Sequence, residues 1–333
     1  MSESVFGTSA VPSTSVLPDL AGISRPLLRS AVPLLWRTSS SIQIGSDVIL
    51  TNVSRAHVAW MTSLDGMSSP EVIVDSLTIP EADARRMVRA LLAAGALDDA
   101  ARVPATVRWA DSSARDLAAV HHSVTHATYR DVETAHASSR RRHQCRVGIV
   151  GSGAIAHEVR QALTSAGLTM DDDHPTITIL ADAPHPDVPA QFDHPAMGGA
   201  HLHVASFAEQ AVVGPLVVPG RTSCLRCRHL HRQDADSAWP VLAVQWSHAI
   251  AHLPLPPVDP LLSRLAADWA VLVLRTWVDL PDAPHQWGDM AIDLTLPLGD
   301  PQIRSCPPHP LCGCRWNAGP DEEHEPWRSG AAT

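Results

Sequence analysis

The sequence predicts an α/β protein: a mostly parallel sheet with an antiparallel extension, preceded by a small domain of winged-helix type. Three observations carry that prediction. The run "RVGIVGSGAIAHEVRQALTSAG", 146–167, reads as a buried-type strand, a glycine-rich turn and a helix. The strand and helix patterns that follow alternate and then end in a late hairpin. Near the N-terminus, residues 25–100 carry the order strand–strand–helix–helix–helix.

Composition bounds the rest. The 333 residues suit roughly two domains, and 45% apolar against 18% charged content allows a sizeable core. A net charge of −10 argues against a general nucleic-acid binder, which needs a basic face. No stretch approaches the ~20 apolar residues of a membrane span. The start, "MSESVFGTSAVPSTSVLPDL", has no basic segment followed by an apolar one, so no signal peptide and a cytoplasmic location are expected. Residues 1–24 and 319–333 are expected to be disordered tails.

Along the chain, "SIQIG" (41–45) and "DVILT" (47–51) form an expected antiparallel hairpin. "VSRAHVAWMTSLDG" follows as a helix capped by Ser54, with Val58, Met61 and Leu64 on one face and Gly66 as its stop. A second short helix starts with Ser69 as cap and Pro70 at its first position. A third opens at Pro80, places Glu81 and Asp83 in its first turn, buries Val88, Leu91 and Leu92, and ends at Gly95. Residues 101–144 are expected to be a linker, helical in part at "DSSARDLAAVHHSV" and a solvated basic loop at "HASSRRRHQCR". The second domain, 145–318, continues from the glycine-rich turn. "TITILADAP" is a strand, "HLHVASFAEQAVVGPLVVPG" two or three more, and "DPLLSRLAADWAVLVLRTWVDL" a long helix with Leu261, Leu262, Leu265, Trp269, Leu272 and Val273 as its stripe. "DMAIDLTLPL" and "PQIRSC" close it as a hairpin.

Two constellations carry chemistry. In "GSGAIA", Gly151 permits a tight turn, Gly153 lets backbone amides approach an anion at the helix start, and Ala156 allows close helix–strand packing, the pattern of a Rossmann-like unit. The same turn can also be a fold element with no nucleotide. The acid expected some 20 residues on falls in Asp171–Asp173, which reads as a loop rather than a strand end. The other constellation is "CLRC" (224–227) with "CGC" (312–314). Paired thiols in a reducing compartment point to metal or redox chemistry before a disulfide. Cys224, Cys227, Cys312 and Cys314 together make a closed four-cysteine zinc site of structural role, with Cys306 or His309 as possible substitutes for one "CGC" thiolate. A redox pair at Cys224 and Cys227, helped by Arg226 and Arg228, is the competing reading. Cys145 reads as a core residue, and "HHSVTH" and "HLH" as surface histidines.

Together, "VVGPLVVPGRTSCLRC", the long apolar helix, the hairpin and the "HPLCGC" ending resemble the ThiF-like superfamily, the fold of ubiquitin-activating and thiamine- or molybdopterin-synthesis adenylyltransferases. With the N-terminal unit, the chain most resembles the branch that fuses a peptide-recognition domain to a ThiF-like domain. Those proteins bind leader peptides for YcaO-type cyclodehydratases, which form azoline rings in ribosomal peptides. The resemblance covers roughly residues 25–316 and implies that the four cysteines hold zinc. Adenylating members have a further glycine in the phosphate turn and an Arg- and Lys-bearing stretch, whereas residues 168–200 here contain neither Lys nor Arg. Pyrophosphate departure needs such cations. The resemblance therefore implies a degenerate, non-catalytic activating-enzyme fold in which Gly151, Gly153 and Ala156 are a vestigial nucleotide turn.

By the same resemblance a leader peptide would add as a strand to the edge at 47–51, against the helix 81–94. Val48 and Leu50 alternate against Ile49, and Arg85, Arg86 and Arg89 would meet acidic leader residues. A precursor leader peptide and a YcaO-type enzyme are the implied partners, with a homodimer also implied by folds of this type. An ATP-dependent adenylyltransferase for a carrier protein's C-terminus and a dinucleotide oxidoreductase are the two alternatives.

Overall fold

The computed structural model describes residues 17–29, 32–103, 112–151, 153–181, 198–252, 258–281 and 287–314. The expected tails at 1–16 and 319–333 lie outside them. The chain divides into two compact units, 1–139 and 140–333.

The first unit is organised by two small sheets and three short helices. Strands β1 (Pro26–Leu28) and β5 (Leu97–Asp99) pair antiparallel. Strands β2 (Leu34–Thr38), β3 (Ser41–Ile44) and β4 (Val48–Thr51) form a three-stranded sheet in that order. The expected hairpin is β3–β4, in register Ile42↔Leu50 and Ile44↔Val48. β2 is a third strand that the sequence pattern left unassigned. Helix α1 (Arg55–Thr62) starts where expected: the Ser54 hydroxyl accepts the His57 amide, and the His57 ring returns a bond to the Ser54 amide. α2 (Pro70–Asp75) has its proline in the first turn, and α3 (Glu81–Ala93) buries Ala84, Met87, Val88 and Leu91. These join Ile42, Ile44, Trp60 and Met61 in one core.

Two expectations for this half are corrected. Residues 17–24 are not tail: Leu17, Leu20 and Ile23 are buried in the core behind a single 3₁₀ turn, Pro18–Leu20, because their spacing supplies an apolar face that a polar tail lacks. The stretch 101–144 is not a loose linker: it contains α4 (Ser112–Tyr129) and α5 (Val132–Gln144), so the basic run "HASSRRRHQ" is helical. Its arginines are not all solvated. Arg142 is buried, and its guanidinium clamps the buried Asp279 carboxylate through two bonds while Arg141 donates to the Asp279 carbonyl at 2.7 Å.

The second unit is a mixed seven-stranded sheet in the order β12-β11-β10-β9-β8-β6-β7. Its strands are β6 (Arg146–Val150), β7 (Thr169–Met170), β8 (Ile177–Ala181), β9 (His201–Phe207), β10 (Gln210–Val217), β11 (Met290–Thr295) and β12 (Gln302–Ser305). β6, β7, β8 and β9 pair parallel, and β9 to β12 pair antiparallel. The sheet is thus half parallel rather than mostly so, because the short β9–β10 and β11–β12 connections can only reverse the chain. α6 (Ala154–Ser165) and α9 (Pro260–Asp279) pack on the sheet and on each other. Asp259 caps α9 by accepting the Leu262 amide at 2.9 Å. The α9 stripe is rotated from the expected one. Leu261 and Leu272 are 78% and 57% exposed, and Ala266, Ala267 and Ala270 face inward, where small side chains let the helix approach closely. The remaining helices are α7 (Leu225–Ala235) and α8 (Trp239–His252).

Removing the Asp279 carboxylate strands a buried guanidinium. Asp279→Ala should lower the stability of the second unit by about 3–5 kcal/mol, read as a fall in its urea midpoint, while Arg275→Ala, at a more exposed site, should cost under about 1 kcal/mol.

Candidate functional site

The four cysteines meet. β10 runs into a turn whose Thr222 hydroxyl accepts the Val218 amide and donates to the Leu216 carbonyl. Ser223 is then anchored by donating its amide to Asp289 and its hydroxyl to the Gly288 carbonyl, at 2.8 and 3.1 Å. That fixes Cys224 as the residue capping α7 and Cys227 one turn in, on the same side of the helix. From the other end, β12 leads to Cys306, whose amide donates to the Asp289 carbonyl. The chain then turns through His309, whose carbonyl accepts the Cys312 amide at 3.0 Å. Gly313 sits at φ +71°, a left-handed conformation that lets Cys312 and Cys314 turn their sulfurs to one side.

The sulfur separations are 3.7 Å (Cys224–Cys227), 3.4 Å (Cys224–Cys312) and 3.5 Å (Cys227–Cys314). A disulfide would bring two of them to about 2.05 Å. Four sulfurs at about 2.3 Å from a tetrahedral ion lie about 3.8 Å apart, near what is found. Electrostatics agree. Cys227 is held down to about 4, chiefly by the hydrogen bond from Cys224, and the same contact pushes Cys224 up. Burial, then the neighbouring Cys227, pushes Cys314 up to about 12. Within the pair Cys227 thus ionises far more readily than Cys224, and a bound divalent cation would favour the thiolate form. All four could hold a metal ion.

Neither substitute ligand is in the cluster. Cys306 is buried away from it, and His309 bonds Asp234 at 2.8 Å beside His231. Cys145 is buried, and burial pushes its thiol up to about 11. The histidines of "HHSVTH" and "HLH" are not surface residues throughout: His126, His201 and His203 are buried. Asp289 and Ser223, which aim the first knuckle, gave no sequence signal, since neither is a ligand type in a recognisable spacing.

At the glycine-rich turn, Ser152 lies outside the described residues. Gly151 has φ +134°, Gly153 caps α6 and Ala156 is buried under it, as the motif requires. The acidic run lies, as expected, in a bend outside any strand, although it begins immediately at a strand end. Asp171 directly follows β7, and its amide still donates to the Val147 carbonyl. Asp172 accepts the Ile149 amide at 2.8 Å, and Asp171 accepts the Asp173 and His174 amides.

On the first unit, β4 is an edge strand with α3 packed beside it. Leu50 is buried and Val48 packs on the core, whereas Ile49 points outward, 53% exposed. A peptide on this edge would therefore meet the main chain and Ile49, with the Leu50 side chain out of reach. Arg85 pairs with Glu81, and Arg86 pairs with Asp83 and donates to the Thr51 and Asn52 carbonyls. Arg89 is exposed and has no ion pair among the described residues.

No family model matches the sequence, and no curated protein does. Solved structures do match. The heterocyclase TruD superposes with a TM-score of 0.62 at 17% identity over 87% of this chain. A heterocyclase in complex with substrate and cofactor gives 0.58 at 16% over 86%. The microcin C7 biosynthetic enzyme MccB in complex with N-formylated MccA gives 0.56 at 12% over 87%, and E. coli MccB has also been solved with ATP. The chain spans 42% and 38% of the two heterocyclases and 99% of MccB.

Cys227→Ser should cost the protein the metal of this site, measured as the fall in metal per chain. Affinity should weaken as pH falls, since each ligating thiol must first lose a proton. Gly313→Ala, strained at positive φ by about 1–2 kcal/mol, should weaken metal binding roughly tenfold in a competition titration with a chelator. The expectation of a ThiF-like fold holds: this chain shares the fold of the heterocyclase TruD and of MccB.

Proposed function

We propose that this chain is a non-catalytic, leader-peptide-binding partner of a YcaO-type cyclodehydratase in ribosomal peptide modification. The observation that carries the reading is an open sheet edge, β4, lying beside α3 in a chain that shares the fold of a heterocyclase. Residues 25–100 act as the winged-helix-like recognition domain, and the second unit is a Rossmann-like, ThiF-type body. Zinc is the ion held by Cys224, Cys227, Cys312 and Cys314. A soft thiolate set suits it, and four protein ligands leave no position for substrate, so its work is structural.

A leader strand adds to β4 through main-chain hydrogen bonds. Arg86, tied to the carbonyls at the end of β4, holds the α3 wall in place, and Arg89 is the cation that meets an acidic leader residue. The complex of MccB with MccA supports a peptide as the ligand class. The chain spans 42% of TruD, and in this reading a YcaO-type enzyme supplies the ring-forming chemistry.

Adenylation is the second reading, favoured by Asp171 at the end of β7 beside the glycine-rich turn and by the MccB structure with ATP. Against it, the carboxylates of Asp171 and Asp172 already serve backbone amides, and the whole chain contains no lysine to stabilise a departing pyrophosphate.

Synthetic peptides from short reading frames flanking the gene separate the two. One should bind in fluorescence anisotropy, Arg89→Glu should weaken it about tenfold with the circular dichroism unchanged, and ATP–pyrophosphate exchange should stay at background with or without peptide. Exchange above background would establish the adenylating reading instead, and absence of any peptide binding would sink the leader-binding one.

A further inference from the structure

The first unit buries a polar group that the reading above does not use. Asp98 sits on β5, His122 and His126 lie one turn apart on α4, and His136 is on α5. All three rings direct Nε2 at the same carboxylate. His122 Nε2 is 2.6 Å from Asp98 Oδ2, and His136 and His126 Nε2 are 3.0 and 3.3 Å from Oδ1. The ring centroids are 4.6, 5.1 and 5.7 Å apart.

A second observation separates this group from a satisfied polar core. His126 is 1% exposed and its Nε2 faces the carboxylate, yet that nitrogen makes no hydrogen bond among the described residues. A buried nitrogen left so costs free energy unless something occupies the space it faces. Burial, against the pull of Asp98, pushes the His126 imidazole down to about 4, so it is a neutral lone-pair donor at physiological pH. Burial would raise the Asp98 carboxyl, but bonds from His122 and His136 outweigh it and keep the group ionised. The buried Arg29 guanidinium, which also feels Asp98, donates to the Gly95 carbonyl at 2.6 Å.

We propose that Asp98, His126 and His136, whose ligand atoms all lie within 4.8 Å of one another, form a second metal site, for a divalent ion of the zinc class, which staples α4 and α5 to β5. Two imidazole nitrogens and one carboxylate are a common donor set for zinc and its first-row neighbours. The site also answers a packing problem. Among the described side chains of α4 and α5, only Val132 belongs to the apolar core of this unit, so for these residues directed contacts add to what hydrocarbon burial supplies. The three donors come from β5, α4 and α5, so one ion ties the three elements together. His122, one turn before His126 on α4, supports the site by bonding the other oxygen of Asp98.

The test uses the full chain, loaded with zinc and freed of excess. Wild type should hold two zinc ions. Cys224→Ser/Cys227→Ser should hold one, and so should His126→Ala/His136→Ala. With cobalt, the histidine variant should keep the near-ultraviolet thiolate-to-metal band and the cysteine variant should lose it. X-ray absorption at the zinc edge of the wild type makes the result independent of how the variants fold. A mixed shell of sulfur at about 2.3 Å and nitrogen or oxygen at about 2.0 Å is expected. One zinc per chain with an all-sulfur shell overturns the proposal and leaves a hydrogen-bonded His–Asp network. One zinc with a nitrogen and oxygen shell supports it and overturns the cysteine site instead.

Discussion

Four sulfurs from positions as far as 90 residues apart crowd into a space where no two ligand atoms are more than 4.8 Å from each other, and this crowding governs the second unit. Thiolates at such separations repel, and burial removes the water that would screen them. Without a cation Cys227 ionises at the expense of Cys224, as their opposed shifts indicate. With one, the repulsion becomes a clamp joining the start of α7 to the segment after β12. The supports are built to suit. Asp289, between α9 and β11, serves both sides, taking the Ser223 amide on its carboxylate and the Cys306 amide on its carbonyl. The segment carrying Cys312 and Cys314 is thereby held near the antiparallel half of the sheet.

The two units solve the problem of cohesion differently. The second has a large apolar core in which α6 and α9 cover the sheet, and its polar interior includes well-paired groups such as Arg142 with Asp279. The first has its own apolar core around α1, α2 and α3, and the described side chains of α4 and α5 add mainly polar contacts to it. A helix with a sequence as polar as "VETAHASSRRRHQ" cannot be secured by hydrocarbon burial and must be secured by charge and directed bonds.

The glycine-rich turn illustrates how one backbone geometry can serve a fold or a ligand. Its backbone requirement is fully met, since Gly151 adopts a conformation closed to other residues. The carboxylates of Asp171 and Asp172, however, are spent on backbone amides, where they hold the β6 and β7 ends together. The geometry that would cradle a phosphate is thus the same geometry that joins a strand to a helix, and the turn alone does not distinguish them.

The sequence by itself determined what depends on near neighbours. The cap at Ser54, the β3–β4 hairpin, the strand-turn-helix at 146–165 and the choice of the four cysteines that cluster all follow from local spacing and from the chemistry of each residue type. Tertiary structure decided what depends on who faces whom. Whether "HASSRRRHQ" is a solvated loop or a helix turns on Asp279, more than 130 positions away, and whether residues 17–24 are a tail turns on the core that receives Leu17 and Leu20. The α9 stripe is set by the sheet surface, which accepts alanines at the closest approach and turns Leu261 outward. The antiparallel pairing of β10 with β11 joins strands separated by α7, α8 and α9, a span that no short window of sequence contains. The convergence of His122, His126 and His136 on Asp98 requires three elements to be placed together, so only the i, i+4 pair on α4 left any trace in the linear chain.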